Sequence, residues 1–143
     1  MTDTDQVIFI ELNTRLAIQF SPLFSQWYKK PYIDLVIDLA RGITPDLIER
    51  EDKLIGTSYV FRSYKDKIVT KTPSEKTVAK LIKDAIIVHY RPLVEKDKKL
   101  SDFQQDEYTF RYALIDVVGK KKEEIDEKIE KAKQELRFEM ESV

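Results

Sequence analysis

Apolar residues recur at three- and four-residue spacing along much of the chain, as they do on one face of a helix. From Asp5 to Phe20 they fall at every fourth position, which predicts a helix, with a short strand over residues 6–12 as the alternative. From Pro31 to Arg41 they go almost all the way round the helical wheel. This helix over residues 31–41 is therefore predicted to be the most buried one.

The clearest helix start is the sequence Thr72-Pro73-Ser74-Glu75. Thr72 can cap a helix, Pro73 suits the first helical position, and Glu75 stands where a capping box has an acid. The apolar positions that follow predict a helix that reaches about Tyr90. A second stripe of this helix is basic and consists of Lys76, Lys80 and Lys83.

Residues 44–72 allow two different structures. Thr44-Pro45-Asp46 is another helix start, and apolar residues seven positions apart permit one long helix to Val69. Residues 57–64, however, are rich in β-branched and aromatic side chains, and Lys65-Asp66-Lys67 can turn the chain back. A small β-hairpin over residues 57–72 is therefore the alternative.

Two more helices are predicted after residue 100. Ser101-Asp102-Phe103-Gln104 has the form of a capping box, and apolar positions continue from it to Val118. Residues 119–143 predict a charged C-terminal helix, which either packs on the rest of the chain or extends as an arm that forms a homodimer. The patterns together predict a mainly α single domain, a bundle of about five to six helices with residues 1–118 as its body.

The composition excludes several kinds of site. The chain has no cysteine and a single histidine, so it contains neither a disulfide nor a Cys-based metal site. Its three glycines cannot form a phosphate-binding loop or a dinucleotide-binding fingerprint. His89 has no carboxylate at helical spacing and is interpreted as a residue at the edge of the core. We therefore expect no catalytic residue, metal ligand or cofactor, and no enzymatic activity.

The sequence shows no pattern of a secreted or membrane protein. Its first residues are acidic where a signal peptide is basic, and the apolar run at residues 7–10 is too short to cross a bilayer. We expect a cytoplasmic protein. The surplus of Lys, Glu, Asp and Ile over Asn, Gly and Met resembles hyperthermophile proteins, which points to a thermophilic archaeon or a virus of such a host.

Charge is distributed unevenly although the whole chain carries a net charge of -1. Residues 53–101 contain twelve Lys or Arg and five Asp or Glu, a net of +7, whereas residues 1–52 and 102–143 each carry -4. Aromatic residues are interleaved with the cations, as in surfaces that bind phosphates and stack bases. The predicted contact residues are Arg62, Lys65, Lys67, Lys71, Lys76, Lys80, Lys83 and Arg91.

These observations favour a non-enzymatic binding or regulatory protein that docks its basic surface onto an acidic protein or other polyanion, for example as a regulator of a nucleoprotein or transcription complex. The alternative is a nucleic-acid-binding structural subunit: a small ribonucleoprotein subunit, a viral coat component or a winged-helix-like DNA binder. A third interpretation is that the basic third pairs with the chain's own acidic flanks. The winged-helix version is weakened by the acidic residues that its recognition helix, residues 44–55, would place on DNA.

Overall fold

The computed structural model describes residues 18–28, 30–45, 53–103, 105 and 108–143 of the 143-residue chain. Most of the helix predicted from Asp5 to Phe20, and residues 46–52 of the helix predicted from Thr44, lie outside the described residues. The described end of the first predicted helix, residues 18–20, forms a single 3₁₀ turn.

The described residues form a mixed α/β fold with four α-helices and five strands in two antiparallel sheets. The predicted mainly α helical bundle is therefore wrong. In chain order the elements are α1 (Ser21–Trp27), α2 (Tyr32–Ala40), β1 (Ile55–Ser63), β2 (Lys67–Lys71), α3 (Glu75–Lys83), β3 (His89–Pro92), β4 (Phe110–Gly119), α4 (Lys122–Glu135) and β5 (Glu139–Ser142).

The larger sheet has the strand order β1-β4-β3, with β4 in the centre. The pairing of β1 with β4 runs from Ile55 opposite Gly119 to Ser63 opposite Phe110. The spacing of apolar residues had predicted a helix over the residues that form β4. The β4 run is apolar on both of its faces because helices cover both, so it lacks the alternation that identifies a half-exposed strand.

The two faces of this sheet pack against different helices. Alternate β4 residues, such as Ile115 and Val117, join the main core with side chains of α3 and α4. The opposite face packs against α1, where Gly56 leaves room for the indole of Trp27. The Trp27 Nε1–H donates a hydrogen bond of 3.0 Å to the carbonyl oxygen of Leu54, which fixes α1 to the start of β1.

Residues 57–63 belong to β1 and residues 67–71 form β2, so the single long helix is wrong, but the predicted hairpin is also absent from this described region. β1 and β2 are joined by a short turn, yet β2 pairs with β5 and not with β1. Ile68 also forms a single bridge with Lys99. The chain therefore bends at the turn and starts a second sheet.

The α3 helix is shorter than predicted at both ends. Its cap is Ser74, whose side chain accepts a hydrogen bond of 3.1 Å from the Thr77 N–H, and not Thr72. The helix ends at Lys83, and Ala85 then adopts a left-handed φ of 53°. The β-branched residues that follow lead into β3, so His89 lies on a strand and not on the predicted helix.

The remaining helices differ in burial. The apolar seam of α4 is buried against the sheet at Ile125 and Ala132, and Leu136 follows it at 2% exposure. In α2 only Leu35 is buried, while Leu39 is 62% exposed, so the prediction that this helix is the most buried is wrong. No helix in the described ranges has the length and apolar character needed to span a bilayer.

Candidate functional site

A cleft of about 690 Å³ opens between β1 and the segment that joins α4 to β5. We call it the aromatic cleft. Both cations and aromatic rings contribute to its walls, and they come from β1, β2, β4 and the C-terminal residues. It is lined by Tyr59, Phe61, Arg62, Lys67, Tyr112, Lys133, Leu136, Arg137, Phe138, Glu139 and Met140.

The rings of the aromatic cleft form a continuous series. Tyr59 meets Phe61 edge-on with ring centroids 5.2 Å apart, and Phe61 lies 5.7 Å from Tyr112. Tyr112 in turn meets the ring of Phe138 at 4.9 Å. Contacts of this kind stabilise the wall of the cleft beyond the burial of apolar area alone.

A bulge directs Tyr112 toward this wall. The pairing of β1 with β4 shifts between Phe61, which is opposite Ala113, and Arg62, which is opposite Arg111. Tyr112 is therefore the extra residue on β4. In an unbroken strand it would lie on the face opposite to that of Ala113, but the bulge turns its ring onto the same side as Phe61.

Cations outnumber carboxylates around the cleft. Arg62, Lys67, Lys133 and Arg137 line it together with a single acid, Glu139. That carboxylate already forms an ion pair of 2.6 Å with a lysine of β2. Lys67 and Arg137 form no ion pair with a described residue, so these two cations leave positive charge next to the partly exposed aromatic rings.

Lys133 is coupled electrostatically to the tyrosines. Its Nζ lies 5.9 Å from the ring centroid of Tyr59, and it also pairs with Glu130 at 2.7 Å. That hydrogen bond raises the pKa of Lys133, and the two cleft tyrosines raise it further. Burial raises the pKa of Tyr112, with a further increase from Tyr59 and an opposing effect of Lys133. Lys133 thus stays protonated at neutral pH and the Tyr112 phenol stays neutral.

Four of the predicted contact residues lie on β1, on β2 or in the turn between them. Arg62 and Lys67 line the aromatic cleft, and Lys65 lies exposed in the turn. Lys71 lies at the end of β2, where it forms the ion pair with Glu139. Arg62 also donates a hydrogen bond of 2.7 Å to the Thr109 hydroxyl.

The other four predicted residues do not join this cleft. Lys80 pairs with Glu135 at 3.1 Å, so the third interpretation, pairing within the chain, describes this residue and Lys71. Lys76 and Lys83 are exposed on α3 and form no ion pair with a described residue. Arg91 lies on β3 opposite Leu114, on the sheet face that packs against α1. The eight residues therefore do not form one continuous surface.

Sequence reasoning missed Lys133, Arg137, Tyr112 and Phe138. They belong to the C-terminal third of the chain, whose net charge is negative, and this net charge conceals the cations within it. Nothing in the neighbouring sequence places these four residues next to β1, because strand pairing between distant residues brings them there. The alternation of Tyr59 and Phe61 was the one available signal of a shared aromatic face.

Asp116 is the other unusual feature, because among the described residues it is the only fully buried polar side chain. It lies in the middle of β4, opposite Ser58 of β1 and His89 of β3. Its Oδ2 is 3.2 Å from Nδ1 of His89, whose side chain is 37% exposed. The prediction that His89 has no neighbouring carboxylate assumed helical spacing and is wrong. A charged residue inside the apolar run 113–118 was the signal for this pair.

The surroundings of Asp116 have opposing effects on its ionisation. Burial raises the pKa of this carboxyl, while the nearby Ser58 hydroxyl and the His89 imidazole lower it by less. Within the described residues neither oxygen accepts a well-directed hydrogen bond. Asp116 stands between Ser58 and His89, so the order differs from a hydrolase triad, in which the imidazole lies between the other two groups.

The chain matches no known family model, no curated protein sequence and no solved structure. Within the part of the chain that the structure describes, no group of three or more His, Cys, Asp or Glu side chains is placed to hold a metal ion. Among the described residues, the aromatic cleft and the Asp116–His89 pair are the two candidate sites.

Proposed function

We propose that the protein binds single-stranded nucleic acid in the aromatic cleft, with phosphates on the cations and a base against the rings. The observation that carries this proposal is the meeting of four cations and four aromatic side chains in one concave site. Stacking of one base on an aromatic side chain is worth about 1–3 kcal/mol, and every base offers such a face. This corresponds to the nucleic-acid alternative of the sequence analysis.

Two observations favour a single strand over a duplex. The cleft volume of about 690 Å³ matches the space of a small-molecule pocket, which suits one or two nucleotides and not a double helix. The bases of a duplex are also stacked on each other, so their faces are not free to contact Tyr59 or Phe138. A free nucleotide offers the same phosphate and base, so the test compares the binding of a mononucleotide with that of an oligonucleotide.

An acidic protein partner, which the sequence favoured, is the second candidate. Exposed Lys76 and Lys83 on α3 support it, because neither has an ion-pair partner among the described residues. The pairing of Lys80 with Glu135 reduces the charge available to such a partner. A homodimer through the C-terminal helix also stays a prediction, although the apolar seam of α4 is already covered by the sheet. We place either activity in the cytoplasm.

The test measures binding of a labelled single-stranded RNA and DNA of about twelve nucleotides by fluorescence anisotropy over a salt series. Removal of two cleft cations, Lys67→Gln with Arg137→Gln, is expected to weaken binding and to reduce the log-log salt slope by about 1.4, since each phosphate contact on a single strand contributes about 0.7. Lys131→Gln is the matched control, because this exposed lysine of α4 lies outside the cleft.

The outcomes separate the candidates. Binding that is unchanged in the double variant would contradict the cleft as the contact surface. Competition by a mononucleotide at the oligonucleotide's own affinity would identify a nucleotide site in place of a strand-binding site. Binding to an acidic peptide that is lost with Lys76→Glu and Lys83→Glu, and not with the cleft variants, would favour the protein partner.

A further inference from the structure

Strand β3 is at the edge of the larger sheet, and within the described residues it pairs on one side, with β4. Pro92 lies opposite Ala113 and has no N–H to donate. The ladder continues from Leu93, whose N–H donates a hydrogen bond of 3.1 Å to the carbonyl oxygen of Tyr112. Backbone groups alternate in direction along an antiparallel strand, so the N–H and C=O of Tyr90 and the C=O of Pro92 point away from β4.

A groove of about 530 Å³ lies between α3 and β3, next to these unpaired backbone groups. One wall is a stripe of α3 with helical spacing, which includes Val78, Ala79 and Ile82. Tyr90 and Pro92 form the opposite wall. Ile82 is 45% exposed although its side chain is large and apolar. The groove therefore presents apolar side chains directly beside a free edge of the sheet.

This combination fits an extended peptide. A strand added to a sheet edge pairs with the free backbone groups and places its side chains alternately on the two faces. Next to β3, the residues opposite Tyr90 and Pro92 would lie in the groove, and the residue between them would lie opposite Arg91 on the other face. A small apolar molecule would fill the groove and leave the Tyr90 N–H without an acceptor.

Charge specifies the residue that lies opposite Arg91. This arginine is exposed and forms no ion pair with a described residue. An acid opposite it would form a cross-strand pair of opposite charges. The groove side has the reverse preference, because Glu75 and Glu95 both line it. Lys96 also lines it, but its Nζ is 3.7 Å from the carboxylate of Asp97. An acid is therefore favoured on the Arg91 face and disfavoured in the groove.

We propose that the groove between α3 and β3 binds an extended segment of another protein, in which apolar residues alternate with an acid. The proposal does not rest on nucleic-acid binding, since the groove and the aromatic cleft share no lining residue. A second copy of the chain fits less well. If two β3 strands paired about Tyr90, Pro92 would lie opposite Val88, whose N–H already donates to the Asp116 carbonyl oxygen at 2.8 Å.

The test selects peptides from a random phage-displayed library on the immobilised full chain. The enriched peptides should carry Asp or Glu between two apolar residues, and one of them is then labelled for anisotropy measurements. Arg91→Glu replaces attraction by repulsion and should weaken its binding by about tenfold. Ile82→Asn removes apolar contact and should weaken it by about fivefold. Lys131→Glu and Ile33→Asn, exposed positions of the same residue classes on other helices, should match wild type.

Hydrogen exchange at the Tyr90 amide tests the backbone pairing in the wild-type chain. This amide should exchange rapidly in the free protein and more slowly, by about tenfold or more, once the selected peptide is bound. The Leu93 amide, which is bonded to β4, is the internal control and should not change. Thermal unfolding of Arg91→Glu and Ile82→Asn shows whether both variants are folded.

Each outcome decides for or against the groove. Absence of the alternating acidic pattern among the enriched peptides would overturn the proposal, and so would peptide binding without slower exchange at Tyr90. Slower exchange at Tyr90 that accompanies self-association of the chain, measured by sedimentation, would identify a second copy as the occupant and overturn the choice of another protein. RNA binding should be unchanged in Ile82→Asn, so a failure of the groove and a failure of the aromatic cleft are distinguished.

Discussion

The contact of α1 with the sheet depends on the missing side chain at Gly56. A Cβ built at this position lies 2.2 Å from Cη2 of Trp27 and 3.1 Å from Cδ2 of Leu23. An ordinary contact of this kind is longer than 3.4 Å, so Gly56→Ala forces the indole away from the strand. The movement breaks the hydrogen bond of 3.0 Å from Trp27 to the Leu54 carbonyl.

The free-energy cost follows from these contacts. Overpacking of a well-packed site costs about 1–3 kcal/mol, and loss of one neutral hydrogen bond costs about 1 kcal/mol. Alanine also restricts the unfolded chain, which returns about 0.4–1 kcal/mol in favour of the folded state. We therefore expect Gly56→Ala to lower the free energy of unfolding by about 1–4 kcal/mol.

The assay is urea unfolding followed by tryptophan fluorescence. Trp27 is the only tryptophan of the chain, so its emission reports directly on the position of α1. The folded Gly56→Ala variant should show red-shifted emission because the indole becomes more exposed. Gly119→Ala is the matched control: its Cβ would meet the flexible Glu124 carboxylate at 3.0 Å, so a smaller loss is expected. An unchanged midpoint together with unchanged emission in Gly56→Ala would refute this account of the α1 contact.

Three further changes test other parts of the structure. Ser74→Ala removes the cap of α3 and should lower the free energy of unfolding by about 1 kcal/mol in urea titrations. Leu81→Ala empties a fully buried site in the main core and should cost about 2–5 kcal/mol, whereas Lys71→Ala breaks an exposed ion pair and should cost less than about 1 kcal/mol. Burial raises the pKa of Asp116 in the folded state above its ordinary value of 3.8. The stabilising contribution of this group is therefore present below about pH 3.8 and is lost as pH rises through the folded-state pKa. Asparagine does not titrate, so the free energy of unfolding of Asp116→Asn relative to that of wild type should increase from pH 4 to pH 8. If the difference between the two free energies stays constant over this range, the raised pKa is contradicted.

The elements that the sequence predicted correctly are those whose signals are local. The predicted C-terminal helix is present as α4, because apolar positions such as Ile125 and Ala132 lie on one buried face. Its predicted span of residues 119–143 is too long, since residues 139–142 form β5 and pair with β2. The start of α3 was found within two residues, since capping chemistry involves only neighbouring positions. The hairpin alternative for residues 57–72 was right only in its first strand, where β-branched and aromatic residues are concentrated; the pairing of that strand with β2 was wrong.

The failures come from interactions between distant residues. β4 was read as a helix because α1 covers one of its faces and α4 covers the other, so its apolar positions are nearly continuous and fit either period. β2 pairs with β5, about seventy positions later, and no turn chemistry indicates such a pairing. The aromatic cleft combines β1, β2, β4 and the C-terminal segment, so its residues could not be grouped before these pairings were known.

A single strand, β4, connects the two candidate sites, and its register determines both. Asp116 faces α1 because its neighbours Ile115 and Val117 face α4, and a shift by one residue would exchange these positions. The bulge at Tyr112 breaks the alternation once, so the same strand supplies a carboxylate to one face and an aromatic ring to the cleft on the other. Removal of the bulge would turn the Tyr112 ring out of the cleft without moving Asp116. The cleft and the Asp116–His89 pair are therefore separable by mutation although they share a strand.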